Sequence, residues 1–111
     1  MSRFVFGVDV GGTTVKLGFF DMEGNVLDKW EIPTRTEENG SKIIPDIAES
    51  ILSKIKAKGI EKSDVVGIGM GVPGPVKVDG TVVKAVNLGW DIFNPNEELS
   101  KLVGVPAKTG N

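Results

Sequence analysis

A carboxylate, two glycines, two hydroxyls and an amine share the short stretch DVGGTTVK: Asp9, Gly11, Gly12, Thr13, Thr14 and Lys16. Glycines let a backbone come close to a phosphate and aim its N–H groups at the oxygens. Thr13 and Thr14 add hydroxyl donors, and Lys16 adds a positive charge. Asp9 comes just before the glycines, at the end of an apolar run, where a carboxylate is costly unless something pairs with it. A hydrated Mg²⁺ carried by a nucleotide is a suitable partner. A hairpin with polar tips would need only Gly11-Gly12, and on the turn alone that reading stays open.

Two further stretches could face a ligand. In GVPGPV, Gly71, Pro73, Gly74 and Pro75 end a second apolar run. Pro-Gly-Pro fixes a corner by itself, but ligands also gather at the carboxyl ends of such strands. In AVNLGW, Asn87 offers both a donor and an acceptor, which suits a sugar hydroxyl. Trp90 is read as a packing residue.

The composition narrows the chemistry. There is no His and no Cys, so any acid–base work falls to carboxylates or Lys, and disulfides and thiolate metal sites are excluded. With 13 Lys and Arg against 15 Asp and Glu, the net charge is −2, which gives no footprint for nucleic acid or an anionic membrane. No apolar run approaches the roughly 18 residues of a membrane span. The N-terminus MSRFVFGVD lacks the apolar core and cleavage site of a signal peptide. A cytoplasmic protein is the expectation.

The elements that would position these residues are legible. Phe4–Val10 is almost continuously apolar, as in a strand covered on both faces. From Thr14 to Asp21 the chain alternates, with Val15, Leu17 and Phe19 on one face and Thr14, Lys16 and Gly18 on the other. DMEGNV turns the chain, and Val26, Trp30 and Ile32 line a third strand that Pro33 ends. Ser41–Lys58 carries an apolar stripe, Ile44, Ile47, Ala48, Ile51, Leu52 and Ile55, at helical spacing. Pro45 is tolerable only in the first turn. Gly59 supplies a left-handed cap with Ile60 as its apolar follower. Asp64–Val72 reads as a second buried strand, VKVDGTVVK as a hairpin around Asp79-Gly80, and NPNEELSKLVG as a short helix. Asn94 caps that helix and Glu97 completes a capping box. Val105–Lys108 reads as a last strand interrupted by Pro106. The acidic pair Glu37-Glu38 reads as a solvated loop. The order β-β-β-α-β-hairpin-α-β predicts an α/β domain with a mixed sheet of about five strands, beginning with an antiparallel three-strand meander and flanked by helices.

DVGGTTVKLGFFD, then GVPGPV with DGTV, then NLGW with LSKLVGVPAKTGN resemble, in order and spacing, the N-terminal part of the ROK family (repressors, open reading frames and kinases). The glucokinase branch is the most similar. The resemblance implies an actin-like ATPase (ribonuclease H-like) domain spanning residues 1–111. It also implies transfer of the ATP γ-phosphoryl to a hexose hydroxyl, glucose before others, with Mg²⁺. It places Asp9, Gly11, Gly12, Thr13, Thr14 and Lys16 at the phosphates, Asp9 at the metal through water, and Gly74, Pro75, Asn87 and Asn111 on the sugar side. The family reads Gly-Asn-Asp-Ala-Asn where this chain ends in Gly110-Asn111, so the general-base Asp falls just beyond Asn111. The family's zinc motif and adenine pocket fall in an absent second domain. The expectation is a domain with negligible kinase activity by itself and an exposed apolar surface that favours self-association. An actin-like ATPase that phosphorylates no sugar, and a fragment of a ROK-type regulator, are the alternatives.

Overall fold

The computed structural model describes residues 3–74, 76–77, 79–82 and 94–110. Five strands, β1 (Phe4–Val10), β2 (Thr14–Asp21), β3 (Val26–Pro33), β4 (Val65–Gly71) and β5 (Ala107–Gly110), form one sheet in the order β3-β2-β1-β4-β5. The pairs β1·β2 and β2·β3 are antiparallel, and β1·β4 and β4·β5 are parallel. The mixed sheet and its opening meander match the pattern of the sequence. Three helical segments accompany it: α1 (Glu37–Gly40), α2 (Ile43–Lys58) and α3 (Pro95–Val103).

The core lies on one face of the sheet. Phe6, Val8 and Val10 of β1, Val15, Leu17 and Phe19 of β2, and Ile68 and Met70 of β4 pack against Ile43, Ile44, Ile47, Ile51 and Ile55 of α2 and Leu99 and Val103 of α3. Fully burying an aliphatic side chain of this size stabilises the fold by roughly 1.5–3 kcal/mol, so the α2 stripe is the main anchor of the sheet. The expectation that β1 and β4 are covered on both faces is corrected. α2 and α3 pack side by side against the same face, so the alternate residues Asp9, Val66 and Gly69 are exposed. On this open face the Phe20 ring lies over Gly18 and Gly7, where a Cβ would stand 2.6 Å and 3.0 Å from it. An apolar groove of about 450 Å³ continues from there past Val5, Val66, Gly67 and Pro106.

Local chemistry sets the boundaries. Asp21 organises the β2–β3 turn: its carboxylate accepts the amides of Glu23 and Asn25, each at 2.9 Å, and the Asn25 side-chain amide at 3.0 Å. These bonds, the Asn25 side chain first, hold the Asp21 carboxyl below its ordinary value. α2 begins at Ile43 rather than Ser41, because Ser41 and Lys42 form a turn. Pro45 falls in its first turn as expected, and Gly59 (φ 67°) closes it with its N–H on the Ile55 and Lys56 carbonyls. Glu37-Glu38 is not an irregular loop but part of α1, a turn with left-handed backbone at Glu38 and Asn39. At α3 the Asn94 side chain accepts from the Asn96 amide, one position short of the Glu97 amide that a capping box uses. β5 starts after Pro106 rather than at Val105. The proline has no N–H to give to a ladder, although its carbonyl accepts the Ile68 amide at 2.9 Å. The hairpin around Asp79-Gly80 is present: Val76 bridges Val82, and the Lys77 amide donates to Thr81 at 2.8 Å.

Candidate functional site

Strand register brings two of the three stretches to one rim. Asp9 on β1 lies beside Gly71 on β4, and Gly71 lies beside Gly110 on β5. β1, β4 and β5 run parallel, so their carboxyl ends, where ligands collect in open α/β sheets, share one edge. The Gly11–Thr13 turn and the Val72–Gly74 segment follow the ends of β1 and β4 directly, and Gly110 is the end of β5. Pro75, Asn87 and Asn111 lie outside the described residues, so the sugar side is represented here by Gly74 alone.

The turn itself is tightly closed. The Gly11 amide donates to the Thr14 carbonyl at 3.0 Å. A Cβ on Gly11 would stand 2.8 Å from that same oxygen, closer than real side chains approach, so glycine is required here by space. Gly12 and Thr13 are exposed. Among the described residues nothing accepts their amides or pairs with the Thr13 and Thr14 hydroxyls. Unpartnered N–H groups at an exposed tip can all turn toward one anion.

Asp9 and Lys16 are direct cross-strand partners on the open face, and both side chains are exposed. The reading of Asp9 as a carboxylate that burial makes costly is corrected. Among the described residues nothing covers its face, and the side chain is exposed to water. It remains a free carboxylate beside a donor-rich turn, with Lys16 as the neighbouring positive charge. The described residues hold no cluster of three or more metal-ligating side chains. A single carboxylate suits a cation that brings its other ligands, water and phosphate oxygens, with it.

One residue of this site escaped the sequence reading. Thr34, just past β3, donates its amide to the Thr13 carbonyl at 2.9 Å and its hydroxyl to the Gly11 carbonyl at 2.8 Å. The register that sets Pro33 opposite Thr14 carries Thr34 to the turn. The signal was the pairing length of β3, not a motif.

A second concavity, of about 610 Å³, lies between β3 and α2, beside Trp30, Ile32, Arg35, Asp46 and Lys54. Several of its polar groups are tied up in bonds within the fold. Arg35 grips Asp46 with two bonds of 2.7 and 2.6 Å, the Trp30 indole N–H donates to Ser50 at 2.7 Å, and Lys54 sits over the Trp30 ring while bonding Asp28 at 2.8 Å. These contacts fasten β3 and the segment after it to α2.

The model of the ROK family matches residues 5–111. A glucokinase from Halalkalibacterium halodurans is 39% identical over 110 residues, which is 98% of this chain and 33% of that protein. Among solved structures, a ROK hexokinase from Thermus thermophilus superposes with a TM-score of 0.80 at 28% identity, covering 98% of this chain and 35% of that one. A ROK family glucokinase from Streptomyces griseus, in complex with glucose and AMPPNP, gives 0.75 at 27% identity over 97% of this chain and 33% of that one. The chain spans about a third of the length of these relatives.

Proposed function

Because the chain belongs to the ROK family, we propose that it forms the phosphate-holding wall of an ATP-dependent sugar kinase, a glucokinase or a kinase of a closely related hexose. The observation that carries this is the shared rim: the exposed amides of Gly12 and Thr13, with Asp9 and Lys16 beside them, sit at the carboxyl ends of three parallel strands whose other tips lead to Gly74 and Gly110. On this reading Gly11, Gly12, Thr13 and Thr14 face the nucleotide phosphates, Lys16 offsets their charge, and Gly74, Pro75, Asn87 and Asn111 line the sugar side. Mg²⁺, when bound with the nucleotide, neutralises charge on the phosphates, and Asp9 would hold it through water.

Phosphoryl transfer depends on positioning and charge stabilisation from both sides of a cleft. This chain supplies one side, and the base that takes the sugar hydroxyl's proton is expected from outside residues 1–111. The test is a coupled assay with ATP, Mg²⁺ and glucose, run on this chain and on a form extended to the length of its relatives. The longer form turns over; the 111-residue chain gives only background. Turnover by the short chain near the ~1–100 s⁻¹ of kinases, or none by the long one, contradicts the proposal.

A further inference from the structure

A hairpin tip carries carbonyls as well as amides, and an anion is repelled by the former as strongly as it is drawn by the latter. What decides the sign of the Gly11–Thr14 turn is where its carbonyls go. Three of them are occupied: Thr14 takes the Gly11 amide at 3.0 Å, Thr13 takes the Thr34 amide at 2.9 Å, and Gly11 takes the Thr34 hydroxyl at 2.8 Å. The amides of Gly12 and Thr13, by contrast, have no partner among the described residues. We infer that Thr34 is a positioning residue that makes the turn an anion cradle: by holding the Gly11 carbonyl it fixes that planar trans peptide, so the Gly12 N–H of the same peptide points the opposite way, free for an anion.

The two bonds from Thr34 differ in kind. The amide bond extends the β2·β3 ladder, and any non-proline residue would make it. The hydroxyl bond depends on the side chain. Without it the Gly11 carbonyl is free to rotate toward a bound phosphate, adding a repulsive acceptor where the cradle needs none. Val keeps the shape of Thr and loses only the hydroxyl; Ser keeps the hydroxyl.

This inference rests on the phosphate-holding reading, and its test separates the two. MgATP binding is measured by calorimetry for the wild-type chain, Thr34→Val and Thr34→Ser, well below the melting temperature of each, with adenosine as the phosphate-free control that should not bind. The expectation is a loss of about five- to tenfold in MgATP affinity for Thr34→Val, as for one hydrogen bond, a loss under twofold for Thr34→Ser, and no binding of adenosine by any of the three. A threonine that merely stabilised the loop would lower the melting temperature of Thr34→Val and leave MgATP affinity in place; that result overturns the inference and spares the phosphate-holding reading. No MgATP binding by the wild type overturns both. A second measurement needs no variant. On adding MgATP to the wild type, the carbonyl carbon resonances of Gly11 and Thr13 stay in place while the amide nitrogens of Gly12 and Thr13 move. Carbonyl shifts as large as the amide shifts would mean that Thr34 lets go, and would sink the inference.

Discussion

Replacing Gly11 by Ala tests how closely the turn is built. A Cβ at that position would lie 2.8 Å from the Thr14 carbonyl oxygen, whereas an ordinary contact begins at 3.4 Å. The oxygen is part of the backbone, not the end of a flexible side chain, so the turn must open by about 0.6 Å. Opening stretches the Gly11–Thr14 hydrogen bond from 3.0 Å to about 3.6 Å, beyond useful range. Overpacking of this kind costs about 1–3 kcal/mol. For a chain of this size that corresponds to a fall in melting temperature of about 4–12 °C. The control is Gly69→Ala on the open face of the same sheet, where a Cβ meets nothing within 4 Å. That substitution is neutral or slightly stabilising, since glycine is the poorer strand residue. Differential scanning calorimetry of the two variants decides the matter. Equal melting temperatures would refute the closure argument, and with it the claim that glycine at position 11 is dictated by space.

Three more outcomes follow from the same structure. Hydrogen bonds from Lys54, then Lys58, hold the Asp28 carboxyl at about 2. The stability this pairing gives is therefore fully present above the ordinary carboxylate range near 3.8 and is lost as pH falls toward 2. Acid unfolding followed by circular dichroism should show a steeper loss over that window for the wild type than for Asp28→Asn, and a smaller difference at high salt, because the pair is only partly shielded from solvent. Asp9→Asn, at an exposed position without a partner among the described residues, should leave the stability within the ~0.5 kcal/mol of ordinary surface changes while weakening the Mg²⁺ dependence of nucleotide binding seen by calorimetry. The open apolar groove beside Phe20 and Val66 should give concentration-dependent self-association in sedimentation velocity. Val66→Lys should reduce it; a wild type that stays monomeric at high concentration would contradict that.

Where an element's physics is local, the sequence showed it plainly. Gly59 ends α2 in the left-handed conformation because no Cβ opposes it there, and Asn94 caps α3 because its side-chain oxygen accepts the Asn96 amide two residues on. The alternation of Val15, Leu17 and Phe19 placed β2 correctly. What the sequence hid depends on neighbours that are distant along the chain. Asp9 looked costly because β1 reads as apolar throughout, yet which face of a parallel strand is covered depends on where α2 and α3 land. The start of β5 shifted past Pro106 because only the partner strand reveals which amides the ladder needs. Thr34 has no motif around it and gains its role from the β2·β3 register. Of the proposed site, the Gly11–Thr14 turn, Asp9 and Lys16 were legible from residue types and spacing. The side chain that orients the turn was not.

The central claim is that the exposed amides of this turn receive nucleotide phosphates. Its most direct test is an amide map of the 111-residue chain, recorded by heteronuclear nuclear magnetic resonance during titration with MgATP. The account predicts the largest shifts at Gly11–Thr14, smaller ones at Asp9 and Lys16, and none along β3 or the exposed side of α2. Shifts centred on the Trp30 groove, or no saturable shift at Gly12 and Thr13 at any reachable concentration, would contradict it.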